Sequence, residues 1–261
     1  MGKFDGYLIC SDLDGTFRNK SDIMPNYNAV KYFTDNGGRF TFATGRTISH
    51  LAKLDYNSLM NAPACICNGG GIYDYEKREL LYEGRVDFTV GEFVEVVRSY
   101  SGIKPDIIVY NSCFEDEYRF RELENVMQDK SLKAIKLICV FQSPEDADKF
   151  KVYARSQDLF KNCYIGKSWS VGVEFNSVNS TKGNAISFIK NYLGNIHTAI
   201  GIGDYENDIP LLTNADLGVA VGDALDCVKE VADLIVKPHT QSSVEDLIKY
   251  LDSVLKADKE Q

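Results

Sequence analysis

Asp12 and Asp14 stand two residues apart, one serine beyond the run Tyr7-Leu8-Ile9-Cys10 and just before Gly15-Thr16. Two like charges at that spacing cost energy unless a cation lies between them or one carboxyl keeps its proton. Mg²⁺ is the cation that hard carboxylate oxygens suit. A second acidic stretch, Gly203-Asp204-Tyr205-Glu206-Asn207-Asp208, follows the run Thr198-Ala199-Ile200-Gly201-Ile202 in the last third of the chain. Each stretch ends a short apolar run, the pattern of a buried strand. If those runs are neighbours in one parallel sheet, their carboxyl ends share the edge where open α/β sheets bind ligands. Four acids around one point would call for a divalent cation. With that ion in place, an attacking group and a phosphate can share the site. Taken alone, the Asp12/Asp14 pair reads equally as an acidic turn after a buried strand.

The elements that would carry these residues follow an alternating order. Strands are expected at 7–10, 39–44 and 64–67, with helices at 25–36 and 47–58 between them. This spacing implies parallel strands joined by right-handed crossovers. A hairpin is expected over 72–75 and 79–82. From about residue 84 the pattern changes: helices at 89–100 and 144–155, and strands at 106–110, 134–141 and 170–175, suggest an antiparallel sheet of their own. The second helix has Ser143, Pro144 and Glu145 at its start, a cap followed by a first-turn proline and an acid. The alternating order then resumes with a helix at 181–193, strands at 198–202, 217–221 and 234–236, and short helices at 209–214 and 224–231. Ser242 and Glu245 have capping-box spacing before the last helix. The chain is thus expected to be α/β, with a doubly wound, mainly parallel sheet built from 1–83 and 179–261. Residues 84–178 are expected as an inserted α+β domain.

Composition narrows the function classes. The 261 residues carry a net charge of −9, with 44% hydrophobic and 26% charged residues. This balance argues against a nucleic-acid or anionic-membrane surface. Of the seven cysteines, Cys10, Cys65, Cys67 and Cys139 sit inside apolar runs and read as small core residues of a reducing compartment. Cys65-Ile66-Cys67 lacks the second cluster that a metal motif needs. Met1 to Asp5 is charged, and no run approaches a membrane span, so a cytoplasmic protein is expected.

Five motifs occur in order: DLDGT at 12–16, ATGR at 43–46, NGGGIYD at 68–74, STKGNAI at 180–186 and GDYENDIPLL at 203–212. Together they resemble the haloacid dehalogenase-like phosphatases, specifically the Cof-type branch with a large cap inserted between the second and third motifs. The resemblance covers the expected core; the cap agrees in position and length alone. It implies Asp12 as nucleophile and metal ligand, and Asp14 as general acid and base, with its backbone carbonyl on Mg²⁺. It further implies Thr44, the Gly45 amide, Lys182 and Asn207 as phosphoryl-binding groups. Asp204 would be a direct metal ligand, and Asp208 would hold the metal's waters or Lys182. Phe17, Asp223 and Ser242-Ser243-Val244 depart from the family's usual residues, none at the implied chemistry. The function implied is Mg²⁺-dependent hydrolysis of a small phosphomonoester, a sugar phosphate or a phosphorylated cofactor. The alternatives are a phosphomutase of phosphomannomutase type, or a module that binds a phosphate ester without turning it over. Tyr110, Glu115, Arg119, Arg121 and Trp169 are cap residues whose direction the sequence leaves open.

Overall fold

The computed structural model describes residues 2–18, 22–114, 117–119 and 131–257. The first stretch gives β1 (Tyr7–Ser11), α1 (Met24–Asp35), β2 (Arg39–Phe42), α2 (Ile48–Ala52), β3 (Ala64–Ile66), β4 (Gly71–Asp74) and β5 (Glu79–Glu83). The middle gives α3 (Val90–Ser99), β6 (Asp106–Tyr110), β7 (Glu117–Arg119), β8 (Lys136–Val140), α4 (Pro144–Arg155), β9 (Cys163–Trp169) and β10 (Gly172–Ser177). The last stretch gives α5 (Lys182–Leu193), β11 (Thr198–Gly203), α6 (Ile209–Asn214), β12 (Leu217–Ala220), α7 (Asp226–Lys229), β13 (Leu234–Ile235) and α8 (Ser243–Ala257).

The first sheet has the order β13-β12-β11-β1-β2, and every pairing is parallel. β1 and β11 are neighbours, with Cys10 opposite Gly201 and Ser11 opposite Ile202. The Asp12 amide continues this pairing by donating to the Ile202 carbonyl at 2.9 Å. Both acidic stretches therefore leave the sheet side by side at its carboxyl edge. Leu8, Ile9, Ile200 and Ile202 are fully buried, because elements pack on both faces of the central strands.

A second sheet, β7-β6-β8-β10-β9, is antiparallel. Strict alternation divides its side chains between two faces. Ile107, Val109, Leu137, Cys139, Val173 and Phe175 join Phe93 of α3 and Phe150 of α4 in one apolar cluster. Ile108, Tyr110, Lys136, Ile138 and Glu174 line a cavity on the opposite face. α3 begins with a full capping box between Thr89 and Glu92, and α4 begins with Ser143 accepting from the Asp146 amide. This sheet with its helices is the inserted α+β cap.

Several expectations need correction. β3 joins a separate antiparallel sheet with β4 and β5, and meets β2 by a single parallel bridge, Ala43 to Cys65. The helix expected at 47–58 stops at Ala52, whose carbonyl is taken by Asn57 Nδ2 at 2.9 Å. The strand expected at 170–175 forms as β10, and the unexpected strand β9 pairs along it as a hairpin. The helix at 224–231 is a single turn, Asp226–Lys229. Ser242 and Glu245 form no capping box: Ser242 is left-handed at φ 63°, and the Glu245 amide donates to Asn26 Oδ1. Among the described residues no helix is long and apolar enough to cross a membrane.

Candidate active site

Two backbone features bring the acids together. Gly15 has φ +95°, and a Cβ there would lie 2.5 Å from Asp204 Oδ2, so the turn after Asp14 needs a residue without one. Gly183 lies against α6, where a Cβ would meet the Pro210 carbonyl oxygen at 2.2 Å. That close approach of α5 to α6 sets Lys182, in the first turn of α5, beside Asp208. Thr181 caps this helix by accepting from the Asn184 amide.

Asp12, Asp204 and Asp208 each offer a carboxylate oxygen, and these three oxygens lie within 4.8 Å of one another. Thr16 Oγ1 donates to Asp204 Oδ1 at 2.8 Å. Lys182 Nζ lies 2.6 Å from Asp12 Oδ1 and 2.6 Å from Asp208 Oδ1, with its side chain fully buried. The other oxygen of Asp208 accepts from the amides of Asp204 and Tyr205 at 3.0 and 3.1 Å. Asp208 thus holds both Lys182 and the turn that carries Asp204.

Three carboxylates against one ammonium leave an excess of two negative charges when all are ionised. Burial pushes the Asp12 carboxyl well above its usual range; Lys182 pulls it down, and Asp208 and Asp204 push it up. Burial, then the Asp208 carboxylate, raises Asp204 to about 6. The Lys182 ammonium is held charged by Asp12 and Asp208 against the opposing effect of its burial. The donor set is all hard oxygen, its excess charge matches a divalent ion, and Asn207 Oδ1 is a buried acceptor without a partner among the described residues. These features fit Mg²⁺.

A testable consequence follows for Asp204. Its folded pKa of about 6 lies above the ordinary carboxyl value, so the folded state binds the proton more tightly. In metal-free protein the resulting destabilisation is absent well below pH 4, grows as pH rises and is essentially complete above about pH 6. Asp204→Asn is therefore expected to raise the melting temperature at pH 7.5 in a chelator, with the gain shrinking as pH falls through that window. Any upward shift that added Mg²⁺ gives the unaltered chain is expected to be mostly lost in the same variant. Thermal scans at several pH values check both, and an unchanged Mg²⁺ shift in the variant would remove Asp204 from the ion's ligands.

The other expected residues lie around this cluster. Thr44 is buried, and its Oγ1 accepts from the Arg46 amide at 3.2 Å. Gly45 and Asn207 line the same cavity of about 470 Å³ as Asp12, Asp14, Thr44, Asp204 and Asp208. Asn207 Nδ2 donates to Asn68 Oδ1 at 3.1 Å. Asp14 lines the same cavity, but its carboxylate is not one of the three clustered acids and pairs with arginines instead. Arg46 grips it with Nε at 2.8 Å and Nη2 at 2.9 Å, and Arg18 lies at 3.3 Å. Burial acts to raise the Asp14 carboxyl, but these guanidinium groups hold it below the ordinary range.

Arg46 enters the sequence only as the end of the ATGR motif, directly after Thr44-Gly45, and carries no expected role. No motif marks Lys136 or Glu174. Both are buried on the cap sheet; Lys136 Nζ donates to the Gly45 carbonyl at 2.8 Å and lies 4.4 Å from the Tyr110 ring centre. Glu174 accepts from Asn68 Nδ2. The available signal was a lone charge inside each apolar run, AIKLICVF and SVGVEF. Tyr110 and Trp169 do line the cavity. Glu115 and Arg121 lie outside the described residues, and Arg119 is described only as part of the β7 backbone.

A profile of the family described as haloacid dehalogenase-like hydrolase matches residues 9–248. The 5-amino-6-(5-phospho-D-ribitylamino)uracil phosphatase YcsE of Bacillus subtilis (strain 168) is 26% identical over 252 residues, spanning 93% of this chain and 94% of its own length. The pyridoxal phosphate phosphatase YbhA of Escherichia coli (strain K12) is 22% identical over 263 residues, spanning 92% and 97%. Among solved structures, a haloacid dehalogenase-like hydrolase from B. subtilis superposes with a TM-score of 0.76 at 20% identity, covering 94% of this chain and 99% of that one. At that identity the likeness speaks for the fold.

Proposed function

This chain belongs to the haloacid dehalogenase-like hydrolases, and from that premise we propose that it is a Mg²⁺-dependent phosphatase acting on a small phosphomonoester through an aspartyl-phosphate on Asp12. The observation that carries this reading is the convergence of Asp12, Asp204, Asp208 and Lys182 at the edge shared by β1 and β11. Mg²⁺ would be held by Asp12, Asp204 and the Asp14 backbone carbonyl. When bound, it would offset the repulsion between these carboxylates and the phosphoryl oxygens.

An oxygen of Asp12 attacks phosphorus while the bond to the ester oxygen breaks. Asp14 gives its proton to the leaving alkoxide, and then takes one from the water that attacks the phosphoaspartate. Lys182 holds positive charge beside the reacting oxygen of Asp12, and Thr44, the Gly45 amide and Asn207 receive the phosphoryl oxygens. Asp14 can act as an acid only after Arg46 releases it, because that contact favours the ionised form. Substrate entry under the cap would provide the occasion, since Arg46 also lines the cavity.

The leaving group would lie against Ile108, Tyr110, Ile138 and Trp169 of the cap sheet, an apolar and aromatic wall. That wall suits a compact organic group, and the phosphorylated-cofactor substrates in the names of YcsE and YbhA support the same class. Purified protein is expected to release inorganic phosphate from members of a phosphomonoester panel with Mg²⁺ and to stop in chelator. Silence across the panel overturns the reading, and return of the phosphoryl group to a hexose 1-phosphate would make it a mutase.

A further inference from the structure

Glu174 and Asn68 lie between the cap sheet and the catalytic edge, and the chemistry above uses neither. Glu174 is 4% exposed in the middle of β10. Its cross-strand neighbour on β8 is Ile138, whose own neighbour on β6 is Ile108, so the row of the sheet beside it is apolar. A buried carboxylate there needs hydrogen-bond donors. Asn68 supplies one from Nδ2, and the same nitrogen donates to Ser168 Oγ of β9 at 3.0 Å. The Lys136 ammonium also interacts electrostatically with Glu174. Asn68 is anchored by a left-handed backbone at φ 59°, a conformation that asparagine tolerates better than most residues.

The donors along this chain of contacts run in one direction. Asn68 turns Nδ2 toward the Glu174 carboxyl oxygen and Oδ1 toward the core. That oxygen takes an N–H from Asn207 Nδ2 at 3.1 Å. Asn207 keeps one N–H and Oδ1, and Oδ1 is buried without a partner among the described residues. The residue lines the cavity that holds Asp12 and Asp204.

We propose that Glu174 is a positioning residue of the cap, which through Asn68 fixes the Asn207 amide so that its free N–H meets a phosphoryl oxygen. The proposal rests on the reading of this cavity as a phosphoryl site. Without Glu174, the Asn68 amide is free to turn over and present Nδ2 to the core. Asn207 then answers with Oδ1, and both of its N–H groups leave the positions they now hold.

The test is the affinity of the full chain for inorganic phosphate in Mg²⁺, by titration calorimetry. Glu174→Ala is expected to weaken phosphate binding about tenfold, the worth of one oriented hydrogen bond to a charged group. Removal of a negative charge alone would tighten it, so the sign separates the relay from bulk electrostatics. Glu174→Gln keeps an acceptor for Asn68 and is expected to restore affinity to within about threefold of the unaltered chain. In an Asn207→Ala background, Glu174→Ala is expected to add no further loss. Equal or tighter binding by Glu174→Ala, or full additivity in that background, overturns the relay. If Glu174→Ala does not fold, Asn68→Ala carries the same expectation by cutting the relay in the middle, and unchanged affinity there overturns it. A chain that binds no phosphate in Mg²⁺ defeats the phosphoryl site itself.

Discussion

Asp12→Asn is expected to lower kcat by at least about 10³-fold on any phosphomonoester the unaltered chain hydrolyses. The replacement is nearly isosteric, and its amide oxygen can still accept from Lys182, which now lies 2.6 Å from Asp12 Oδ1. What disappears is the anionic oxygen able to bond phosphorus. An amide oxygen is a far poorer nucleophile, so the proposed aspartyl-phosphate would not form. The fold should survive and gain slightly in metal-free buffer, because one of three crowded carboxylates is gone. Phosphate release, measured beside a thermal scan, checks both halves. Activity within tenfold of the unaltered chain, in protein that melts cooperatively, would mean that water attacks the ester directly and Asp12 is at most a ligand.

The site's acidic half is legible in sequence for a simple reason. β1 and β11 are continuous apolar runs buried on both faces, and each ends abruptly at a carboxylate. A parallel pairing then puts both ends at one edge, whatever else the chain does. Lys182 is legible only through the family's motif, because its burial depends on the contact of Gly183 with Pro210, which no local pattern reveals. The cap half is less legible. Alternation along AIKLICVF and SVGVEF tells which residues share a face, but not which face meets the core. Lys136 and Glu174 could equally have pointed to solvent. β9 was hidden because CYIGKSW mixes polar residues and a glycine into its alternation, and the strand is recognised only by its pairing with β10. The final helix shows the same limit at short range. Ser242 and Glu245 have the spacing of a capping box, yet Asn26, more than 200 residues away in sequence, takes the amide that the box would have used. There a distant side chain competes with the local signal and wins, whereas Lys182 and β9 are settled by backbone that packs or pairs against them.

Lys182→Met should separate the electrostatics of the site from its nucleophile. The ammonium is fully buried between Asp12 and Asp208, at 2.6 Å from each. Methionine fills a similar volume and offers neither charge nor donor. Removing one partner from a buried ion pair typically costs about 3–5 kcal/mol, because the remaining charge is left without compensation. For a domain of this size that corresponds to a fall in melting temperature of roughly 6–20 °C. The stability loss should be greatest above about pH 6, where Asp204 also ionises in the metal-free protein. It should shrink as the medium becomes acidic enough to protonate the cluster. Mg²⁺ should restore more stability to this variant than to the unaltered chain, since the ion takes over part of the missing positive charge. Turnover should still fall by about 10²-fold or more in saturating Mg²⁺, as no ammonium then faces the phosphoryl group. The discriminating comparison is Lys182→Met with Asp208→Asn in the same chain: one carboxylate fewer should return part of the stability and none of the turnover. A Lys182→Met protein that melts within about 2 °C of the unaltered chain at pH 7.5 would show that this ammonium does not hold the acids together, and the account of the site as a charge-balanced cluster would have to be abandoned.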